Sequence, residues 1–324
     1  MQALLEVDQL CVEFTTRHGS LRALSEVSFG IAPGEVLGIV GESGAGKSLT
    51  GAAIIGLLPP PGRIGGGRIV YDGQRIDTLP DDAMRRLRGR QIGSIFQDPM
   101  TALNPLLTIG HQLVETIRTH LPLSEAEAVA RAVSLLEETG ISGAAQRLAQ
   151  YPHQFSGGMR QRVVIALALA AGPRLLIADE PTTALDVSVQ AQVIALLKRL
   201  CRDRGMAVML VTHDMGVIAE ACDRVAVMYA GRIVEIGPVR EVIHTPAHPY
   251  TVGLMGAIPS MSGARARLLQ IDGTMPRLGA IPEGCAFHPR CSQAWARCRS
   301  ERPELISVGP SRAACWLHDG RASR

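Results

Sequence analysis

The sequence predicts an α/β fold with a mostly parallel core sheet. Three observations carry it. Val36-Leu37-Gly38-Ile39-Val40, Leu175-Leu176-Ile177-Ala178 and Ala207-Val208-Met209-Leu210-Val211 are near-continuous aliphatic runs, the pattern of strands buried on both faces. Helical stretches lie between runs, so strand and helix alternate along the core. A glycine-rich turn, Gly41-Glu42-Ser43-Gly44-Ala45-Gly46, directly follows the first run. The chain has 324 residues, 46% hydrophobic but only 3% aromatic, so its core is aliphatic and large enough for one sizeable domain plus a smaller one.

The other elements follow in chain order. Much of residues 1–35 alternates apolar and polar positions (Leu5, Val7; Leu10, Val12, Phe14; Val27, Phe29, Ile31), with a turn at Gly19. Alternation of period two specifies half-buried strands, here a small antiparallel sheet. It slips by one residue between Val7 and Leu10, which points to a bulge or bend. Residues 47–58 read as a helix stopped by Pro59-Pro60-Pro61-Gly62. Residues 105–150 are mainly helical, and Ser124-Glu125-Ala126-Glu127 matches a capping box. After about residue 255, Gly, Pro, Arg and Cys dominate and periodicity fades. The expected layout is a main domain over 1–255, with a helical subdomain over about 98–160, and an irregular C-terminal extension over 256–324.

The net charge of +3 is too small to imply nucleic-acid binding, and Arg85-Arg86-Leu87-Arg88-Gly89-Arg90 reads as a solvated helix face. The opening Met1-Gln2-Ala3-Leu4-Leu5-Glu6 lacks the basic start of a secretion signal. The longest apolar run, Val163 to Ala171, is about half a membrane span. A cytoplasmic protein that does not itself cross a membrane is expected. The mean hydropathy of +0.15 fits either a large aliphatic core or a surface covered by partners.

Of the 33 Lys and Arg residues only two are lysines, Lys47 and Lys198. Lys47 stands in Gly41-Glu42-Ser43-Gly44-Ala45-Gly46-Lys47-Ser48, a G-x-x-x-x-G-K-S motif between a predicted strand and a predicted helix. Glycines let backbone N–H groups wrap an anion, and the helix that follows points its positive end at it. Lys47 brings a compact ammonium to the β- and γ-phosphates of a nucleotide, a place the larger planar arginine does not fill. Ser48 offers a hydroxyl to Mg²⁺, and the phosphate contacts run on into Leu49. Mg²⁺ also needs an acid at the end of a neighbouring strand, which Asp179 supplies. Glu180 follows it, directed to the opposite side, toward an attacking water. Ser156-Gly157-Gly158-Met159-Arg160-Gln161 opens another helix with two glycines and forms a second candidate anion site.

The order of these pieces resembles the ATP-binding subunits of ABC transporters, and Ser156, Gly157, Gly158 and Gln161 match that family's signature. The resemblance implies further roles. Gln97, in Ile95-Phe96-Gln97-Asp98-Pro99, would sense Mg²⁺ and a membrane partner. Asp186, in Ala184-Leu185-Asp186, would belong to the loop facing the partner ATPase. His213 would touch the γ-phosphate, and Phe14 would stack on adenine. Two such domains would face each other head to tail, each ATP held by the phosphate loop of one and the signature of the other. Gln97-Asp98-Pro99-Met100-Thr101-Ala102-Leu103-Asn104-Pro105, Pro246-Ala247-His248-Pro249-Tyr250-Thr251 and a Cys-x-Phe-x-Pro-Arg-Cys pattern resemble the dipeptide/oligopeptide importer ATPases. That group also includes importers of nickel chelates and glutathione. It implies a second ABC ATPase subunit, two transmembrane permease subunits and an extracytoplasmic peptide-binding protein as partners, at the cytoplasmic face of the inner membrane. A soluble ABC ATPase of DNA repair or translation fits less well, because this chain has one cassette and no heptad run.

Four of the seven cysteines, Cys285, Cys291, Cys298 and Cys315, lie in the tail with no C-x-x-C pair. Disulfides are not expected in a reducing cytoplasm. Four thiolates from irregular chain can surround one soft metal centre and staple a tail that lacks a core. In the family resembled, the matching cysteines hold a 4Fe–4S cluster. Zinc, with His288 contributing, and plain reduced thiols stay open as alternatives. Cys11, Cys201 and Cys222 read as small buried hydrophobes.

Overall fold

The computed structural model describes residues 3–17, 19–182, 186–257 and 270–319. Their strands, in chain order, are β1 (Leu5–Thr16), β2 (Gly19–Ile31), β3 (Val36–Val40), β4 (Gly62–Tyr71), β5 (Gln74–Arg75) and β6 (Ile92–Ile95). Then come β7 (Leu175–Asp179), β8 (Ala207–Thr212), β9 (Arg224–Tyr229), β10 (Arg232–Pro238), β11 (Ile306–Val308) and β12 (Ser311–Ala313). The chain is organised in two compact units, one from Met1–Leu4, Ile31–Val36 and Thr78–Val211, the other from Leu5–Gly30, Leu37–Asp77 and Thr212–Arg324.

In the first unit β6, β7 and β8 run parallel in that order, with Ile95 opposite Ala178 and Asp179 opposite Val211. Every residue of Leu175–Ala178 is buried, as the aliphatic run requires. Helices Ile109–His120 and Glu125–Glu138 fall inside the stretch read as helical. Ser124 caps the second: its Oγ accepts from Glu127 N–H while the Glu127 carboxylate accepts from Ser124 N–H at 2.8 Å. The Ser124 hydroxyl also donates to the Glu127 carboxylate at 2.6 Å, and this bond first, then the one from Ser124 N–H, holds the Glu127 carboxyl below its usual range.

In the second unit β2, β1, β4 and β5 form an antiparallel sheet in that order. The expected bulge in β1 is present. The register against β4 shifts between Asp8 and Cys11, and Gln9 adopts a φ of 52°. The helix after the glycine-rich turn is shorter than the 47–58 expected. It runs Lys47–Ile54, because Gly56, at φ 65°, ends it in the left-handed conformation before the prolines are reached. β3 pairs parallel with β9, and β9 with β10 antiparallel through the turn Ala230-Gly231. The tail is less irregular than its composition suggests, since β12 pairs antiparallel with β10, and β11 with β12. Three-residue strands are too short to leave a periodic trace. Cys11, Cys201 and Cys222 are buried, as read.

One buried acid fastens the tail end of this unit. Glu235 on β10 has no solvent exposure, and its two oxygens accept from the N–H groups of Ala247 and His248 at 2.8 and 2.9 Å. His248 is also buried, which pushes its imidazole down to about 3, so the ring is neutral. Its Nδ1 accepts from Tyr250 N–H at 3.0 Å.

Candidate functional site

In the second unit the chain leaves β3 at Gly41, loops, and enters helix Lys47–Ile54. Gly46 sits at φ 103°, and a Cβ there would lie 2.6 Å from Leu24 Cδ2, so only glycine fits. No side chain caps this helix, which leaves its first N–H groups for the loop's own ligand. Lys47 is 6% exposed, and its ammonium donates to the carbonyls of Gly41 and Glu42 at 2.9 and 3.1 Å. A buried ammonium at the start of this helix is placed to meet a phosphate through charge-assisted hydrogen bonds, which strengthen out of water. Ser43, Gly44 and Ser48 are exposed, and Leu49 is half-buried on the helix. The loop is braced from behind: Gly231 N–H donates to Ala45 O, and Gly231 O accepts from Ser25 N–H, both at 2.9 Å.

Phe14, near the end of β1, is half-buried, with its ring against Gly62. His213 is exposed just before helix Met215–Ala221, which Asp214 caps through Gly216 N–H at 2.7 Å.

In the first unit, Asp179 ends β7 and Glu180 turns sharply after it at φ 46°, a conformation rare outside glycine. Glu180 N–H is fixed to Val211 O at 2.8 Å. Gln97 Nε2 donates to Glu180 Oε2 at 3.2 Å, so two predicted site residues lying far apart in sequence meet. Strain of this kind, pinned by a neighbouring strand, accompanies functional positions. Ser156 caps helix Gly157–Ala168 by accepting from Met159 N–H. Ser156 and Gly157 are exposed at its start. Gly158 packs against helix Val187–Arg204, where a Cβ would lie 2.6 Å from Val189 Cγ1. Gln161 is buried, with Nε2 unpartnered among the described residues. Asp186 caps helix Val187–Arg204, and its bonds from Val189 N–H and Ser188 Oγ hold its carboxyl below the usual range. Ala184 and Leu185 lie outside the described residues.

The four tail cysteines are half-buried and line one small cavity with Phe287 and Trp316. Burial pushes the thiols of Cys285 and Cys291 up, and that of Cys315 to about 11, with the neighbouring thiols adding to the effect. The cavity measures about 20 Å³, so a cluster would need the side chains to swing outward. Among the described residues no three His, Cys, Asp or Glu side chains are arranged to hold a single metal ion. His288 Nδ1 instead lies 3.0 Å from Cys285 O.

The sequence reading passed over two contacts at the phosphate loop. Tyr250, in the Pro-Ala-His-Pro-Tyr-Thr stretch, accepts from Glu42 N–H at 2.9 Å, and Arg290, between two of the cysteines, reaches the Glu42 carboxylate. Both residues lie within quoted motifs, but nothing in their spacing indicates which loop they touch.

Comparison with known proteins agrees with these features. Residues 24–183 match the family described as ABC transporter, and residues 234–298 the one described as Oligopeptide/dipeptide transporter, C-terminal region. The chain is 49% identical over 311 residues to the oligopeptide transport ATP-binding protein OppD of Salmonella typhimurium, covering 96% of this chain and 92% of that one. It is 48% identical over 324 residues to the dipeptide transport ATP-binding protein DppD of Bacillus subtilis, covering 99% and 97%. Its fold is similar to that of the dimeric ATP-binding cassette MJ0796 bound to ADP and phosphate, with TM-score 0.66, 29% identity, and coverage of 73% of this chain and 99% of that one.

Proposed function

The chain belongs to the oligopeptide/dipeptide branch of the ABC transporter ATP-binding proteins, and on that premise we propose that it hydrolyses ATP to power import of di- and oligopeptides. The observation that carries this reading is 49% and 48% identity, over nearly the whole chain, to an oligopeptide and a dipeptide transport subunit. A phosphate loop with a buried lysine supports it, as does the Gln97–Glu180 contact beside a strained turn.

In this reading, Lys47 and the loop N–H groups bind the phosphates. Glu180 orients the attacking water and accepts its proton, while Gln97 holds the Glu180 carboxylate in place. Ser48, Asp179 and Gln97 would hold Mg²⁺, which supplies charge neutralisation at the transferred phosphoryl group. His213 contacts the γ-phosphate and Phe14 stacks on the base. Ser156, Gly157 and Gly158 form the anion site that a second ATPase subunit uses, with Asp186 at the same face. Gln161 supports that helix from within. Residues 1–255 form the cassette and 256–324 the extension.

The partners of this subunit are a second ATPase, two permease subunits and an extracytoplasmic peptide-binding protein. No described helix is long and apolar enough to cross a membrane. In this reading the chain works as a peripheral subunit at the cytoplasmic face of the inner membrane, which its likeness to transport ATP-binding proteins supports. Co-expression with its permease subunits and reconstitution into vesicles tests the assignment. ATP-dependent uptake of a labelled dipeptide or oligopeptide is the expected result. An assembled transporter that hydrolyses ATP yet moves neither peptide would overturn the cargo class.

The four cysteines match a 4Fe–4S cluster in donor type and number. Cys285, Cys291, Cys298 and Cys315 would hold it as a structural staple, and the thiols must deprotonate to do so. Hydrolysis needs no electrons, so its role is to fix the tail. Protein purified without oxygen should contain about four irons and matching sulfide per chain. Zinc alone, or no metal in a folded ATP-binding protein, would remove the cluster from this account.

A further inference from the structure

Glu42 occupies a variable position of the phosphate loop, where the motif itself asks for no carboxylate. It is nevertheless held on three sides. Its carbonyl accepts from Lys47 Nζ, its N–H donates to the buried Tyr250 hydroxyl, and its carboxylate accepts from Arg290 Nη1 at 3.0 Å. Two of these three partners come from the C-terminal third of the chain.

Arg290 is built in more firmly than a surface ion pair. Its side chain is 7% exposed, and its guanidinium lies over the rings of Tyr229 and Phe287, with centroids 5.8 and 6.0 Å away. Nε donates to Asp272 O at 2.8 Å, and Nη2 lies 3.4 Å from the carbonyls of Ile271 and Gly273. The planar fork thus ties segment 271–273 and the cysteine-bearing segment to one loop residue, a geometry that lysine does not reproduce. The same tail segment brings Met275 Cγ to 3.9 Å from where a Cβ on Gly44 would stand.

We infer that Arg290 is a positioning residue for nucleotide binding, a reading that rests on residues 41–48 being the phosphate loop. It touches no phosphate. It holds the Glu42 carboxylate, and with it the carbonyl that carries the Lys47 ammonium, and it cancels a negative charge at the mouth of an anion site. Removing one partner of a largely buried pair leaves the other charge uncompensated. Here the stranded charge is an acid beside the place where phosphates bind, so affinity falls through both lost order and repulsion.

The sign of that repulsion provides the test. Affinity for a fluorescent ATP analogue with Mg²⁺ is measured on the full chain. Arg290→Met is expected to weaken binding by about tenfold, equivalent to ~1.4 kcal/mol. Arg290→Lys should keep part of the affinity. Adding Glu42→Gln to Arg290→Met removes the stranded charge and should restore binding to within about threefold of the parent, a rescue no general loss of tail structure produces. An Arg290→Met variant within about twofold of the parent overturns the inference, as does a double variant no better than Arg290→Met. Lys47→Ala serves as the control. If it too leaves affinity unchanged, the phosphate-loop reading itself has failed. If it alone abolishes binding, only the role of Arg290 falls.

Discussion

Lys47→Ala is expected to lower ATP affinity by about 10- to 100-fold, the range of one or two charge-assisted hydrogen bonds lost from a desolvated site. The size of the effect follows from burial. Lys47 is 6% exposed and its ammonium donates to two carbonyls of its own loop, so a bond from it to phosphate forms largely out of water, where it is strong. Lys47→Arg should fail nearly as badly. The pocket is shaped to a narrow ammonium, and a guanidinium would push Gly41 and Glu42 apart. Direct titration with a labelled nucleotide measures both. Affinity within twofold of the parent for the alanine variant would remove Lys47 from the binding site.

Glu180→Gln should reduce hydrolysis by about 10²- to 10⁴-fold while leaving ATP binding close to that of the parent. The backbone at Glu180 is fixed twice, by its left-handed φ of 46° and by its N–H bond to Val211 O, so the substitution changes chemistry without moving the side chain's origin. The amide keeps the length of the carboxylate and loses its capacity to take a proton. Gln97 Nε2, which donates to the carboxylate at 3.2 Å, still finds an amide oxygen to donate to. Phosphate release by the assembled transporter, compared with nucleotide binding by the same preparation, separates the two effects. Normal turnover would remove Glu180 from the chemistry.

The readable parts of this molecule are those written in short-range pattern. The slip of alternation between Val7 and Leu10 located the β1 bulge, and Ser124 with Glu127 located a helix start. The loop at 41–48 announced itself through residue types that only an anion site demands. The helix expected over 47–58 ends at Ile54 because Gly56 is a sufficient stop ahead of the prolines. What the pattern does not carry is long-range pairing. Tyr250 and Arg290 lie 208 and 248 residues from Glu42, and periodicity within either segment is silent about the other. Glu235 reads as one polar position on a strand, and its full burial follows only from the two N–H groups it receives from 247 and 248. For Gln161 the signature motif indicated a place in the sequence, and packing decided that its side chain lies inside.

The brace formed by Gly231 has a consequence for how the chain tolerates change. A Cβ at this position would lie 2.1 Å from Ala23 O, and the residue's own N–H and carbonyl are already committed to Ala45 and Ser25. No side chain can be accommodated by a rotamer change, because the three nearest atoms it would meet are all backbone. Relief requires displacing either β2 or the phosphate loop. Gly231, at φ 78°, is therefore closed to variation, and it shares the left-handed backbone of Gly46 although it stands 185 positions further along the chain and in no recognised motif. The set of residues that any functional variant must keep is larger than the set that meets the nucleotide, and it extends into the turn behind the loop.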